Sequence, residues 1–405
     1  MKILYLCHRI PYPPNKGDKI RAFHQIRAMA ERHEVDVFTL ADDRRDLEYR
    51  DALAAYCHQL TLVQVHPKLA RLRSLPYLLT RTPLTIPCFY SAELQAEVRK
   101  ALSLHSYDCI FVYCSAMAQY VPAAGSIPVL TDLVDVDSDK WTQYAAHTKF
   151  PFSAVYRREG RTLQEYERRV CEQSACVLVS TEREARLARQ IAPIARVQVI
   201  PNGVDTEYFK PQVAPLEGPP RVIFTGDMSY FPNEEAVVFF AKQVLPLIRN
   251  QIAGIRFLIV GRNPGRRVQE LQTIEGVEIT GFVPDIREWL GKAQVAVAPF
   301  TIAAGIQNKI LEAMACALPV VATPRAAQGL LPRVADLVHT GNSAKELADH
   351  VVMLLHNPQI AQRIGLDCRR IVTEDYSWAS AMGDIIQLLN QVAGRPLASQ
   401  KVQSS

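Results

Sequence analysis

The chain has 405 residues, which is too long for one ordinary domain and fits two domains of about 200 residues each. Hydrophobic residues make up 48% of the chain and charged residues 21%, a composition that is typical of packed globular proteins and excludes extensive disorder. The net charge of +5 is modest for this length. It is compatible with an anionic small ligand or an anionic membrane surface and does not indicate nucleic-acid binding.

The amino-terminal stretch MKILYLCHR contains an apolar run that is too short for the core of a signal peptide. Nor does any apolar run approach the roughly 18 residues that a membrane-spanning helix requires. The nine cysteines include no C-x-x-C pair, which favours reduced, buried thiols over a zinc site. We therefore expect a cytoplasmic protein, with peripheral contact at the inner-membrane face left open, and with no metal and no resident cofactor.

Residues 1–195 alternate short apolar runs with helical stretches and form the first predicted domain. A helix begins near Asp18 and places Ile20, Phe23 and Ile26 on its inward face. Buried strands are predicted at residues 2–7, 35–40, 60–66, 109–114, 128–133 and 176–181. This alternation favours a parallel sheet covered by helices on both faces, which is an α/β architecture.

Residues 196–375 repeat the pattern and form the second predicted domain. Its strands are predicted at residues 197–200, 221–226, 256–261, 277–281, 295–300 and 319–323. Residues 201–220 are dense in proline and glycine, which is typical of a linker. An amphipathic helix follows within residues 376–393, and the polar residues 394–405 are expected to be disordered.

Open parallel sheets bind ligands beyond the carboxyl ends of their strands, and residues 298–324 are the most informative segment of this kind. Gly305 lets the backbone approach a ligand, and the amide groups at the start of the next helix can hold phosphate. Glu312 lies among apolar residues of that helix, where an unpaired carboxylate is costly to bury, and Lys309 and Asn308 share its face. The alternative is an exposed Lys309–Glu312 pair of little energetic value.

This segment resembles the signature of the retaining glycosyltransferases of family 4, an E-x7-E element followed by an A-M-A…P-V-V-A-T run. Residues 312–315 match its second half, and residues 319–323 match the strand after it. Residues 201–205 match the P-N-G-V-D element of that family, and shorter matches lie at residues 224–226, 259–261 and 280–283. The resemblance covers almost the whole chain.

The resemblance implies a GT-B fold, in which two Rossmann-like, doubly wound domains face each other across a cleft and the C-terminal helix crosses back to the first domain. It also implies metal-independent transfer of a sugar, with retention of configuration, from a UDP- or GDP-linked donor to a glycan or lipid-linked acceptor. The second glutamate of the signature, here Glu312, usually holds the donor ribose. The donor-binding residues expected in the second domain are Gly226, Asn233, Arg262, Gly305, Ile306, Gln307, Asn308 and Glu312.

A narrower resemblance is to the sugar transferases associated with exopolysaccharide and exosortase (PEP-CTERM) gene systems. It is carried by residues 8–21, 132–141, 226–236 and 305–315. This subgroup implies a role in exopolysaccharide or cell-surface polysaccharide biosynthesis.

Two departures from the family pattern affect the expected chemistry. The first glutamate of E-x7-E would fall at Ala304, so the carboxylate that usually contacts the donor sugar is missing. The usual Arg and Lys after the first strand of the nucleotide domain are also absent. Lys309 is therefore the leading candidate to meet the diphosphate charge and is a predicted catalytic residue. Arg262 and Arg266 follow it, although a solvated loop explains Arg266 and Arg267 equally well.

Gly17 precedes a helix in the first domain, where the family brings backbone close to the donor phosphate and the acceptor. Lys19, a predicted substrate-binding residue, and Arg21 add positive charge there. The alternative is an ordinary strand–helix loop with solvated basic side chains.

Residues 132–140 carry four acidic side chains directly after a strand. Asp135 or Asp137 is the catalytic candidate, because a carboxylate there could orient the acceptor hydroxyl or stabilise positive charge at the anomeric carbon. Capping of the next helix explains the other aspartates equally well. A metal-binding D-x-D motif is not assigned, since it belongs to a different glycosyltransferase architecture.

Residues 66–87 mix Lys68, Arg71, Arg73 and Arg81 with leucine, tyrosine and proline. Such a surface could dock on anionic lipid, and an ordinary connecting segment with snorkelling arginines is the alternative.

Two other functions are compatible with the same fold. A nucleotide-sugar epimerase would convert the donor without an acceptor, and a catalytically silent polysaccharide-assembly subunit, suggested by Ala304, would bind the donor without turnover. A nicotinamide-dependent dehydrogenase is disfavoured, because no strand is followed by a G-x-G-x-x-G turn.

Overall fold

The computed structural model describes residues 1–14, 17–122, 125–212, 218–303 and 305–394. They divide into two compact units. The first consists of Met1–Pro201 together with the chain from Ala379 onward, and the second of Asn202–Trp378. Residues 395–405 of the predicted disordered tail lie outside the described residues, as does Ala304.

The first unit is built on a seven-stranded parallel sheet with the strand order β3-β2-β1-β4-β5-β6-β7. Its strands are β1 (Lys2–Cys7), β2 (Glu34–Ala41), β3 (Gln59–Gln64), β4 (Cys109–Tyr113), β5 (Val129–Val134), β6 (Cys176–Val179) and β7 (Val197–Val199). All five residues of β4 are buried, because helices cover both faces of the sheet at its centre.

The helices of this unit connect the strands as crossovers. They are α1 (Gly17–Ala30), α2 (Arg50–Ala54), α3 (Pro67–Ser74), α4 (Thr85–Cys88), α5 (Ala92–Leu104), α6 (Asp137–His147), α7 (Phe152–Gln173) and α8 (Glu182–Ile191). Short 3-10 helices cover Arg44–Tyr49, Leu75–Leu79 and Ser115–Tyr120. Ser91 and Thr181 begin α5 and α8 by accepting backbone hydrogen bonds with their side chains, as good N-caps do.

The assignment of residues 197–200 to the second domain was wrong. β7 pairs in parallel with β6 and forms the edge of the first sheet. The intervening α8 is the crossover that a parallel β6–β7 pair requires. The first unit therefore extends to Pro201 before the chain enters the second.

The second unit contains a six-stranded parallel sheet with the order β10-β9-β8-β11-β12-β13. Its strands are β8 (Arg221–Thr225), β9 (Arg256–Val260), β10 (Val277–Gly281), β11 (Val295–Ala298), β12 (Val320–Ala322) and β13 (His339–Thr340). Its helices are α9 (Phe231–Phe239), α10 (Leu245–Arg249), α11 (Arg266–Gln269), α12 (Arg287–Leu290), α13 (Asn308–Ala315), α14 (Pro324–Ala327), α15 (Pro332–Ala335), α16 (Ala344–His356) and α17 (Pro358–Asp375). A π-helical turn at Phe240–Val244 joins α9 to α10, and a 3-10 turn covers Glu270–Thr273.

The last helix, α18 (Trp378–Val392), starts at the end of the second unit and continues as part of the first. Within the first unit, Arg196 donates a 2.9 Å hydrogen bond from Nη2 to Oε1 of Gln391 near the end of this helix. The prediction of two Rossmann-like parallel α/β domains is confirmed. Among the described residues, no helix combines the length and hydropathy needed to cross a bilayer.

Candidate functional site

Two glycines of the second unit end neighbouring strands with almost no space around them. Gly226 follows β8 with φ +156°, and Gly261 follows β9 with φ +151°. A Cβ added to Gly261 would lie 1.7 Å from the carbonyl oxygen of Gly226. A Cβ added to Gly226 would lie 2.7 Å from Nδ2 of Asn233. Neither position has room for a side chain, so both strand ends present bare backbone at the edge of the sheet where ligands bind.

Lys309 lies in the first turn of α13 and is fixed by three neighbours. Its ammonium donates a 2.8 Å hydrogen bond to Oδ1 of Asn233. It also stands 4.9 Å from the ring centre of Phe224 and 4.6 Å from that of Phe300, which are cation–π distances. Burial lowers the pKa of Lys309 to about 8, and the nearby carboxylate of Glu312 counters part of that effect. A single cation is thus held in place at the start of a helix.

Asn233 connects Lys309 to a second basic side chain. Nδ2 of Asn233 donates to the carbonyl oxygen of Asp227 at 2.8 Å, and the Asp227 carboxylate accepts a 3.0 Å hydrogen bond from Nε of Arg262. The Arg262 side chain remains 27% exposed, so its guanidinium can still reach a ligand. The structure therefore brings together Gly226, Asn233, Arg262 and Lys309, four of the residues selected from the sequence.

The start of α13 has the geometry of an anion-binding helix terminus. Gly305 has φ +59°, a conformation that favours glycine, and the next residue, Ile306, is buried. Gln307 precedes the helix with extended backbone and makes no side-chain cap, while Oδ1 of Asn308 accepts a 3.1 Å hydrogen bond from Nδ2 of Asn202. An anion at this terminus would meet the first backbone amides of the helix and its positive dipole end.

Glu312 lies one helical turn after Asn308 on the same helix. Burial raises the pKa of Glu312 to about 7, and Lys309 offsets part of the increase. The exposed-pair alternative does not describe this helix, because both side chains are partly buried and the Lys309 ammonium is bonded to Asn233. In its ionised form the Glu312 carboxylate can accept hydrogen bonds from vicinal hydroxyl groups.

Arg266 and Arg267 do not join this cluster. Arg266 is 93% exposed and pairs with Glu270, the first residue of the 3-10 turn that follows its helix. Arg267 is bonded to Glu234 and Glu235 at 2.7 and 2.5 Å. For these two arginines the solvated-loop interpretation is the better one.

In the first unit, the strand end before Asp135 is strained. Val134 has φ +66°, which is a genuine outlier for a β-branched residue. The amide of Asp135 donates a 2.8 Å hydrogen bond to the carbonyl of Leu133, closing a tight turn around Val134. Strain of this kind persists where the surrounding structure enforces it, and it concentrates at functional sites.

The Asp135 carboxyl group accepts a 2.9 Å hydrogen bond from the Ser180 hydroxyl. Burial raises the pKa of Asp135 to about 7, and the charge of Glu184 adds to the increase. Asp137, two residues on, is 29% exposed and pairs with Lys140 at 2.5 Å. Of the two candidates, Asp135 therefore has the pKa of an acid–base group near neutral pH.

The idea that the aspartates cap α6 was wrong. Val136 occupies the N-cap position without a side-chain cap. Instead, Glu184 accepts from the Val136 amide at 2.7 Å, and Glu167 accepts from the Ser138 amide and hydroxyl at 3.3 and 2.5 Å. Burial raises the pKa of Glu167 to about 8, with a further contribution from Asp137. These two buried glutamates went unnoticed in the sequence, where helical glutamates look solvated.

The basic residues after Gly17 are not solvated. Gly17 is the first residue of α1, and Lys19 is buried with its ammonium 2.7 Å from a carboxylate oxygen of Asp46. Arg21 is fully buried, and its Nε donates a 2.7 Å hydrogen bond to Asp132. The charge of Lys19 is thus neutralised inside this unit, and its substrate-binding role stays a prediction.

Two domain-family models match the chain. Residues 19–203 match a glycosyl transferase 4-like domain, and residues 219–357 match the glycosyl transferases group 1 domain. Together they span most of both units.

Three individual proteins similar to this chain share at most about a third of the aligned residues with it. A phosphatidyl-myo-inositol mannosyltransferase of Propionibacterium freudenreichii is 30% identical over 164 residues, which is 39% of this chain and 40% of that protein. The sucrose-phosphate synthase of Thermosynechococcus elongatus superposes with a TM-score of 0.73 at 19% identity, covering 97% of this chain and 99% of that one. HepE of Anabaena, in complex with UDP-glucose, gives a TM-score of 0.67 at 18% identity, covering 96% and 100%.

The two parallel sheets and these structural neighbours give the chain the GT-B fold, and the two matched domains are glycosyltransferase domains. Within that class, the two matched domains place the chain in the family 4 type, to which it belongs.

Proposed function

We propose that the protein transfers a sugar from a UDP- or GDP-linked donor to a glycan or lipid-linked acceptor, with retention of configuration and without a metal. The observation that carries the proposal is the Lys309 ammonium, held by Asn233 and two aromatic faces at the start of α13. A fixed cation beside a helix N-terminus is suited to the charge of a departing nucleoside diphosphate.

The donor diphosphate would lie between the Gly226 strand end and the first turn of α13, within reach of Lys309 and Arg262. The Glu312 carboxylate would accept hydrogen bonds from the ribose hydroxyl groups. The bound UDP-glucose of HepE and the lipid acceptor in the name of the mannosyltransferase relative support these substrate classes. The motifs shared with exopolysaccharide-associated transferases favour a role in cell-surface polysaccharide synthesis at the cytoplasmic face of the membrane.

The experiment is a thermal-shift screen of UDP- and GDP-linked sugars, followed by product analysis with glycan and lipid-linked acceptors. We expect one nucleotide class to stabilise the protein, and NMR of the product to show the anomeric configuration of the donor. Conversion of the donor without any acceptor would instead identify an epimerase. Donor binding without turnover across the acceptor panel would identify a silent assembly subunit.

Replacing Glu312 by Gln should weaken nucleotide binding about thirtyfold, since a hydrogen bond to a charged group contributes roughly 1.5–3 kcal/mol. The pKa of Glu312 is about 7, so the wild-type affinity should fall as pH decreases through 7 and the carboxylate becomes protonated. Calorimetry with UDP and GDP at pH 6 and pH 8 measures both effects. Glu278→Gln, an exposed position in the same unit, is the control, and equal affinities for all three proteins would remove Glu312 from the ribose site.

Replacing Asp135 by Asn should lower kcat about a hundredfold with little change in donor affinity, because general acid–base groups contribute on that scale. The wild-type kcat/KM should rise with pH through about 7, as the carboxylate ionises, and the variant should lose that dependence. Steady-state rates between pH 5.5 and 9 test this. Loss of turnover in Asp137→Asn with normal Asp135→Asn would transfer the role to Asp137.

A further inference from the structure

The connection after β3 exposes large apolar side chains on the surface of the first unit. We call residues 67–81, which comprise α3, the following 3-10 helix and the next two residues, the docking segment. In it, Leu72, Leu75 and Leu79 are 62%, 51% and 94% exposed. Leu69 and Tyr77 add exposed surface of the same kind. Exposed large apolar residues grouped within one short segment mark an interaction surface, whereas single ones need no explanation.

Helix α7 holds the C-terminal end of the docking segment and the residues that follow it. Arg158 of α7 donates from Nη2 to the carbonyls of Tyr77, Thr80 and Thr82 at 2.6, 2.6 and 2.9 Å. The buried carboxylate of Glu159 accepts from the amides of Leu84 and Thr85 at 2.7 and 2.9 Å. These bonds fix the C-terminal end of the docking segment against α7, while its large apolar side chains remain exposed to solvent.

The charge of the segment favours one kind of partner. Lys68, Arg71, Arg73 and Arg81 are all exposed, and the sequence contains no Asp or Glu from residue 52 to residue 92. Apolar side chains interleaved with an uncompensated cluster of cations fit the interface of an anionic bilayer, where leucines enter the acyl boundary and cations meet lipid phosphates.

The docking segment also lies at the edge of the sheet formed by the carboxyl ends of the strands. It follows the carboxyl end of β3, and the carboxyl ends of parallel strands lie at one edge. Gly17 after β1 and Asp135 after β5 occupy the same edge of this unit. Two further exposed aromatic residues lie at the start of α7. Phe150 precedes the helix, and Phe152 is its first residue, about 9 Å along the helix axis before Arg158.

We propose that residues 67–81 dock the protein peripherally on an anionic phospholipid bilayer. Leu72, Leu75 and Leu79 insert at the interface, and the four basic side chains contact lipid phosphates. Docking brings the edge that carries Gly17 and Asp135 next to the membrane surface. The inference stands apart from the proposed activity, because vesicle binding requires neither donor nor turnover.

The test is co-sedimentation of the full chain with vesicles of phosphatidylcholine alone or with 30% phosphatidylglycerol, about 0.1 M salt in both. We expect binding only to the anionic vesicles. Arg71→Gln/Arg73→Gln should weaken it about thirtyfold, because each cation near such a surface contributes roughly fivefold. Leu72→Ser/Leu79→Ser should weaken it at least tenfold. The matched controls on α5, Arg99→Gln/Lys100→Gln and Leu104→Ser, should bind as the wild type does.

Absence of binding to anionic vesicles would overturn the proposal, as would equal binding by the docking-segment variants and the α5 controls. A wild-type dimer that Leu72→Ser/Leu79→Ser converts to monomer, without vesicle binding, would assign the surface to a second copy of the chain instead. Circular dichroism and thermal unfolding of each variant confirm that weakened binding is not caused by loss of folding.

Discussion

Replacing Lys309 by Met should lower kcat/KM for the transferase reaction by two to three orders of magnitude while the fold is retained. Loss of a preorganised group that stabilises transition-state charge typically has an effect of about 10²–10³. The ammonium is fixed by Asn233, Phe224 and Phe300 before any ligand arrives, so little reorganisation is needed when negative charge develops on the leaving diphosphate. Methionine keeps the apolar stem against the two rings and removes the charge together with the hydrogen bond to Asn233.

The pH dependence gives this prediction a signature that a structural role would not produce. Because the pKa of Lys309 is lowered to about 8, the free protein loses the ammonium as pH rises through that value. The kcat/KM of the wild type should therefore fall above pH 8, and Lys309→Met should show no such decline. Lys242→Met, an exposed lysine of the same unit, is the control. An unchanged rate and alkaline profile in Lys309→Met would reject the leaving-group role.

The strands and the order of the two domains were predictable from sequence because a parallel sheet buries both faces. Continuous apolar runs such as residues 109–113 can therefore be recognised as buried strands without any information on tertiary structure. The sequence of a short strand does not show to which sheet the strand belongs. β7 has three residues and a local pattern that suits either domain, and only its pairing with β6 decides.

In the candidate site, too, contacts within one helix were predictable and contacts between distant segments were not. Lys309 and Glu312 share one helix, so their proximity follows from the helical repeat alone. The neighbours that hold the Lys309 ammonium come from elsewhere in the sequence. Asn233 is 76 residues away, and Phe224 and Phe300 look in the sequence like ordinary core residues at strand ends. The burial of Glu167 and Glu184 could not be predicted from the sequence, because a glutamate on an amphipathic helix is usually exposed.

The pairing of Arg21 with Asp132, across 111 residues, predicts the largest effect on stability. Arg21→Met should reduce the free energy of unfolding of the first unit by about 3–5 kcal/mol, since removing one partner of a fully buried ion pair leaves the other charge uncompensated. Arg21 also donates from Nη1 to the carbonyl of Ile200 at 2.8 Å, so the substitution releases the end of the unit as well. Denaturant unfolding followed by circular dichroism measures the loss.

Arg9→Met is the matched control, because the Arg9–Asp42 pair is 37% and 24% exposed and such surface pairs contribute about 0–1 kcal/mol. The double variant Arg21→Met/Asp132→Leu should recover part of the loss, since no buried charge is then left alone. A loss below 1 kcal/mol in Arg21→Met would contradict the prediction.

The same pair links stability to the proposed chemistry. One oxygen of Asp132 accepts from Arg21 and Gln25, and the other accepts a 3.0 Å hydrogen bond from the amide of Val134. That bond helps to hold the strained turn which presents Asp135. The double variant, even where it regains stability, cannot make this bond, so its kcat should remain at least tenfold below that of Arg9→Met. Full recovery of both stability and turnover would show that the turn at Val134 is maintained without Asp132.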